Sequence, residues 1–294
     1  MVRPCDLCRG TDASFLLECD RLDGPLVQCR RCGLIYVGER REDFTFAAAN
    51  EEKSRALAAR VRALGLVDEA IETAEAPWRE RLFSDRLDRL RRHVERGSLL
   101  EVGCASGEFL RLAARAGFQV CGVEPDPQTS ARARELYGLH VITGTLAEAK
   151  LPPNAFDAAV LFHVLEHLDS PRQTIAELHR LLKPGGILAI ETPNIDTIWF
   201  RWLGRRWRQF IPDHYYFFTP HTLSHLLQDV GFRPVEIRRV GKPMSLRLFL
   251  DRLRRLSPRW SRWLGSWARR LHLEERTVYV NLGDIMLAFA VKES

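Results

Sequence analysis

The chain has 294 residues, 46% of them apolar, and a formal net charge of +6. That length accommodates one domain of roughly 200 residues plus a small appendage, with enough apolar residues for a sizeable core. No run of about 18 apolar residues is present, which excludes a membrane-spanning helix, and the first residues lack the apolar stretch of a signal peptide, so a cytoplasmic protein is expected.

Taken in chain order, Cys5, Cys8, Cys29 and Cys32 form two Cys-x-x-Cys pairs within the first 32 residues. Each pair can put two thiolates on one metal, and two pairs make a closed, tetrahedral, structural zinc site. Unligated structural or redox thiols are the alternative. Short strands are predicted at 26–28 and 34–37, flanking the second pair. Residues 1–40 are thus expected to be a zinc module, because so short a unit builds no adequate core alone. Residues 41–97 read as a helical linker or cap, with Pro77 as a break.

From residue 98 the pattern alternates strand and helix, which implies a mostly parallel sheet with crossover helices. Strands are predicted at 98–102, 119–124, 140–143, 158–162 and 187–191. Helices fall at 108–116, 128–137, 171–182 and 222–230, and strands at 235–240 and 285–291 form a final pair. Glu101-Val-Gly-Cys-Ala-Ser-Gly107 joins an apolar strand, through a glycine-bearing turn, to a helix. Such a turn lets backbone approach a ligand and leaves helix N–H groups free to bind it. The next strand ends in Glu124, where a Rossmann-type site places a carboxylate on ribose hydroxyls.

The turn lacks the dinucleotide spacing. It resembles instead motif I of class I S-adenosylmethionine-dependent methyltransferases, with Ala105 in place of the middle glycine. Gly-Val-Glu-Pro-Asp-Pro at 122–127 resembles motif II. Leu-Pro-Pro-Asn-Ala-Phe-Asp at 151–157, His-Val-Leu-Glu-His at 163–167 and Leu-Leu-Lys-Pro-Gly-Gly at 181–186 resemble the signature of one large methyltransferase subgroup. The resemblance covers about residues 98–240 and implies an α/β, Rossmann-like, seven-stranded domain. It implies cofactor contacts by Glu101, Gly103, Cys104, Ala105 and Gly107, by Glu124 and Pro125, by Thr145 and Leu146 beside the adenine, and by Phe162 near the sulfonium. Thr145 stands where the family often has Asp. Arg79 or Arg81 is a candidate clamp for the cofactor carboxylate. With the cysteine module, the chain looks like zinc-containing sugar methyltransferases.

The N-methylation motif (N/D)PP(Y/F) is absent after the fourth strand, which favours O- or C-methylation. Residues 213–220 resemble the acid–histidine segment of sugar C-methyltransferases. This makes His214 the expected base, Asp213 its orienting partner and His167 the second candidate. Two stretches remain, within insertions at 196–212 and 243–276. Residues 199–210 and 247–270 hold twelve arginines, one acid and six of the seven tryptophans. Arg outnumbers Lys 39 to 5 overall, which explains the choice of Arg but not its clustering with Trp. In 246–271 two amphipathic helices are predicted, with Leu246, Phe249, Leu250, Leu253 and Leu256 on one and Trp260, Trp263, Trp267 and Leu271 on the other. Peripheral contact with the inner face of the membrane and packing on the protein itself are both open. The expected substrate is a saccharide, a lipid-linked saccharide or a similar hydroxylated metabolite. RNA methylation and non-catalytic cofactor binding are the alternatives.

Overall fold

A computed structural model describes residues 2–45, 47–66, 69–253, 263–264, 266–268, 270–274 and 276–293. Strands β1 (Ala13–Leu17), β2 (Leu26–Cys29) and β3 (Ile35–Val37) form an antiparallel sheet around the four cysteines. Helices α1 (Glu51–Ala63) and α2 (Glu69–Leu90) follow, α1 capped by Asn50, whose side chain accepts from Lys53 N. Helix α2 runs through Pro77, where a break was expected. Its far end is pinned by tertiary packing, with Leu87 and Leu90 buried against the domain.

The alternating region then unfolds as predicted: β4 (Ser98–Val102), α3 (Glu108–Arg115), β5 (Gln119–Glu124), α4 (Pro127–Tyr137), β6 (Val141–Thr143), β7 (Phe156–Phe162), α5 (Pro171–Leu181) and β8 (Leu182–Pro193). The helix starts are written locally. Asp126 and Ser170 accept from the first-turn amides of α4 and α5, each with proline next in line, and Gly138 closes α4 in the left-handed conformation. The Lys183–Gly186 turn lies within β8 rather than before it.

Beyond β8 come α6 (Ile198–Leu203), β9 (Tyr216–Phe217), α7 (Pro220–Asp229) and β10 (Phe232–Arg239). The chain continues through β11 (Lys242–Ser245), α8 (Leu246–Leu253), β12 (Thr277–Val280) and β13 (Ile285–Lys292). The central sheet has the order β10-β13-β8-β7-β4-β5-β6, parallel from β8 to β6 and antiparallel at β10 and β13. Its inner strands are apolar on both faces, as buried parallel strands must be: Leu99, Leu100, Val160 and Leu161 are all fully buried. Strand order reverses between β4 and β7, so the crevice at their carboxyl ends is where an open sheet of this kind takes its ligand.

The cysteine module is not a separate bead. Strand β3 pairs with β9, Ile35 opposite Phe217 and Tyr36 opposite Tyr216, and one hydrophobic core runs through both parts. The Asp6 carboxylate accepts from Ser170 Oγ at 2.6 Å and Arg172 N at 2.7 Å, so a loop of the module caps α5. Val37 N donates to Tyr215 O at 2.8 Å, and Tyr215 Oη lies 2.6 Å from Phe44 N.

The basic stretches are less uniform than their pattern. Trp207 is fully buried among Phe200, Phe210 and Phe217, so the first insertion is partly core. In the second, Leu248 and Leu250 are buried while Trp263, Trp267 and Leu271 are exposed. Leu256 and Trp260 lie outside the described residues. The β11–β12 pairing had no sequence signal that we read.

Candidate cofactor and acceptor site

The cleft opens at the carboxyl ends of β4, β7 and β8 under helix α2. Its lining includes Glu101, residues 103–106, Phe162, His163, Glu191 and Lys242. Gly103 has φ +69°, and a Cβ there would sit 2.6 Å from Val164 Cγ2, so both backbone shape and space demand glycine. Ala105, at φ 45°, holds a left-handed conformation in the same turn.

Glu101 is 4% exposed, and its Oε2 is a buried oxygen with no hydrogen-bond partner among the described residues. Burial, then the neighbouring Glu124 charge, push its carboxyl well above the usual range. An unsatisfied oxygen of a buried carboxyl lining a cleft fits an ammonium group, which would remove the penalty of leaving it unpaired. Glu124 accepts from Ala105 N at 2.8 Å and Asp126 N at 2.9 Å. Each oxygen keeps acceptor capacity for a diol. Gly144 N donates to Glu124 O at 3.0 Å, which sets Thr145 and Leu146 beside it. The Thr145 hydroxyl donates to Glu148 at 2.8 Å, so the residue that replaces the family's Asp is internally engaged. Phe162 meets Phe109 edge-on at 4.8 Å. These residues suit the amine, ribose and sulfonium ends of S-adenosylmethionine.

Beyond that end sits an ionic network. His163 Nδ1 lies 3.1 Å from Glu166 Oε1, and its Nε2 lies 3.2 Å from Glu191 Oε1. Burial lowers its pKa, but the two carboxylates outweigh that and raise it overall. With both nitrogens engaged, His163 is a positioning group and not a free base. Arg86, 1% exposed, pairs with Glu191 and donates to Gly241 O at 3.0 Å. It ties α2 to the end of β8 and to the loop before β11. Arg86→Met should destabilise the fold by about 3–5 kcal/mol, because the buried Glu191 would lose one of its two ion-pair partners. Denaturant melts of the two proteins measure this, and a change under about 1 kcal/mol would show that the pair holds nothing.

The three expected catalytic residues form one cluster. His167 Nδ1 is 3.0 Å from Asp213 Oδ2, and the His167 and His214 rings meet edge-on at 4.6 Å. Asp213 was expected to orient His214, but its carboxylate lies on His167 instead. His214 is 4% exposed, its Nδ1 lies 2.8 Å from Gln209 O, and burial with the neighbouring His167 charge presses its pKa down to about 4. Burial alone would lower His167 too, but the Asp213 charge overrides it and lifts its pKa to about 9. His167 keeps 32% of its side chain exposed, and no hydrogen bond among the described residues engages its Nε2. Glu166 adjoins the two histidines, with ligand atoms of Glu166, His167 and His214 within 4.8 Å of one another, and none of these residues lines the cleft. Tyr215 N donates to Glu166 O at 2.8 Å, which locks the β9 segment, and with it the cysteine module, to this wall.

Sequence reasoning missed Arg86, Glu191 and Lys242. Arg86 does carry a signal: it shares a helical face with Leu82 and Leu90, and an inward-facing arginine needs a buried partner. Arg79, a candidate clamp, lines the cleft and pairs with Glu108 at 3.5 Å, while Arg81 donates to Thr277 at 2.8 Å. In the module, the sulfurs of Cys5 and Cys32 are 3.4 Å apart, those of Cys8 and Cys29 are 3.5 Å apart, and all four lie within 4.8 Å of one another. A tetrahedral thiolate site with metal–sulfur bonds of about 2.3 Å has sulfurs about 3.8 Å apart, so this donor set fits zinc.

A sheet of this order, with a glycine turn and ribose carboxylate at its switch point, is the Rossmann-like methyltransferase fold. The chain belongs to the methyltransferase-domain family, whose profile matches residues 76–237. Curated relatives include a probable S-adenosylmethionine-dependent methyltransferase of Mycolicibacterium smegmatis, 38% identical over 34% of this chain and 39% of that protein. A Mycobacterium tuberculosis protein with the same description is 33% identical over 46% of this chain and 48% of that one. A ubiquinone biosynthesis O-methyltransferase of Ruegeria pomeroyi is 31% identical over 47% of this chain and 60% of its own length. The chain therefore spans less than half the length of the first two relatives. An Archaeoglobus fulgidus S-adenosylmethionine-dependent methyltransferase shares the fold at a TM-score of 0.52, with 21% identity over 74% of this chain and 97% of that one.

Proposed function

We propose that the protein transfers a methyl group from S-adenosylmethionine to an oxygen or carbon of a saccharide, a lipid-linked saccharide or a similar small hydroxylated metabolite. The observation that carries the cofactor half is the orphaned Glu101 carboxylate beside a turn that admits only glycine at 103. S-adenosylmethionine would supply the electrophilic methyl group on its sulfonium. Glu101 would take the amine, Glu124 the ribose diol, and Phe162 the space beside the sulfonium. The chain's task in such an in-line displacement is to align the acceptor and keep water out.

The acceptor half rests on the Asp213–His167 pair. Asp213 would hold the Nδ1 proton of His167, and an acceptor reaching past the cleft lining at His163 would give its proton to Nε2. His214, neutral and buried, braces the His167 ring. The cysteine module packs this wall from behind, and Cys5, Cys8, Cys29 and Cys32 would hold a structural zinc there.

The test of the cofactor half is calorimetric titration with S-adenosylmethionine. Glu101→Gln should weaken binding about 10- to 150-fold, the worth of one charge-assisted hydrogen bond of about 1.5–3 kcal/mol. Failure of the unaltered protein to bind would refute the reading. Equal affinity in the variant would remove Glu101 from the site.

A further inference from the structure

We infer that the two tryptophan-rich insertions form one docking surface for an anionic lipid bilayer, at the mouth of the cleft. Both leave the central sheet at the same edge, since Pro193 pairs with Ile285 and Arg239 with Met286. The turn before β13 is held to the first insertion and its stem: Arg208 binds the Asp284 carboxylate at 2.8 Å, and the Asn194 side chain donates to Gly283 O at 2.9 Å. The second insertion begins with Pro243 and Met244, which line the cleft together with Lys242 just before it.

Each insertion turns an apolar row outward. Ile198 and Trp202, four residues apart in α6, are 70% and 75% exposed. Trp263, Trp267 and Leu271, at the same spacing, are 54%, 53% and 55% exposed, while Ala268 beside this row is buried. Single exposed apolar residues need no explanation, but two rows at one edge of a fold do. Their surroundings are cationic. No acid occurs at 198–210 or 263–273, and Arg205, Arg206 and Arg270 make no ion pair among the described residues.

Tryptophan suits the depth of lipid headgroups, isoleucine and leucine suit the acyl boundary below it, and arginine suits anionic headgroups above it. RNA would use the arginines and the tryptophans, but it offers nothing to Ile198 and Leu271. Docking in this orientation would bring the cleft to the membrane face, where an acceptor with a lipid anchor is held. The surface stands on its own geometry, and its test reads no methyl transfer, so it can fail or succeed apart from the proposed activity.

The experiment is co-sedimentation of the full chain with vesicles of phosphatidylcholine alone or with about a third phosphatidylglycerol. Binding to the anionic vesicles should exceed binding to the neutral ones at least ~10-fold and fall as salt rises from about 0.1 to 0.5 M. The triple variant Trp202→Ala, Trp263→Ala, Trp267→Ala should lose at least ~10-fold of that binding. Its melting temperature and its titration with S-adenosylmethionine should be unchanged, since these side chains are exposed. Arg205→Glu with Arg206→Glu should weaken binding to anionic vesicles alone. Absence of binding to anionic vesicles, undiminished binding by the triple variant, or capture of labelled RNA with vesicles ignored would each overturn the inference.

Discussion

Cys29→Ser should remove the bound zinc and loosen the acceptor wall in one step. Metal analysis of the unaltered protein should find one zinc per chain, and of the variant almost none. The reason is coupling: a structural zinc contributes on the order of 10 kcal/mol to folding its own unit, which is too small to fold without it. Here the effect should not stay local. Strand β3 pairs with β9, Asp6 caps α5, and Tyr215 joins Phe44 on one side to Glu166 on the other. Loss of the metal should therefore lower the melting temperature by several degrees and abolish turnover, while S-adenosylmethionine should still bind beside Glu101 and Glu124. Cys19→Ala is the control, because that buried thiol donates to Arg205 O and is no member of the cluster. Full turnover in zinc-free Cys29→Ser protein would show that the module is an appendage after all.

His167→Gln should lower kcat by about 10²- to 10⁴-fold, the range of a lost general base, with affinity for S-adenosylmethionine unchanged. The sign of the pH dependence follows from the Asp213 contact. That carboxylate raises the His167 pKa to about 9, so the imidazole is charged at neutral pH and acts as a base only once deprotonated. The rate should rise about tenfold per pH unit below 9 and level off above it. Asp213→Asn removes the stabilising charge, so its rising limb should move to lower pH while the maximal rate falls. A flat profile between pH 6 and about 9 would remove His167 from proton transfer. His214→Gln provides the contrast. If it, and not His167→Gln, abolishes turnover, the base is His214, whose pKa near 4 would leave the profile flat in that range.

Those parts of the molecule whose physics is local could be read directly. The strands of the central sheet, the glycine turn at 103 and the two cysteine pairs each follow from a few adjacent residues. The switch point, and so the cleft, follows from the order of those elements. What stayed hidden depends on contacts between distant segments. Strand β9 is two residues long and exists only because β3 runs beside it. Asp213 lies next to His214 in sequence, yet the fold turns its carboxylate onto His167, 46 positions away. Glu191 lies near the end of an apolar strand, and its two partners come from α2 and from the turn after β7. Trp207 and Trp202 share one basic, aromatic stretch; only the fold buries the first and exposes the second.

The central claim is tested most directly by incubating the purified protein with methyl-labelled S-adenosylmethionine and an extract of its native host. The extract is then separated into lipid, RNA and water-soluble small-molecule fractions. The account predicts label on oxygen or carbon of a glycan or lipid-linked glycan, and its loss in His167→Gln. Label in RNA would contradict the acceptor assignment while leaving the cofactor site intact, and no label in any fraction would contradict the proposed methyl transfer itself.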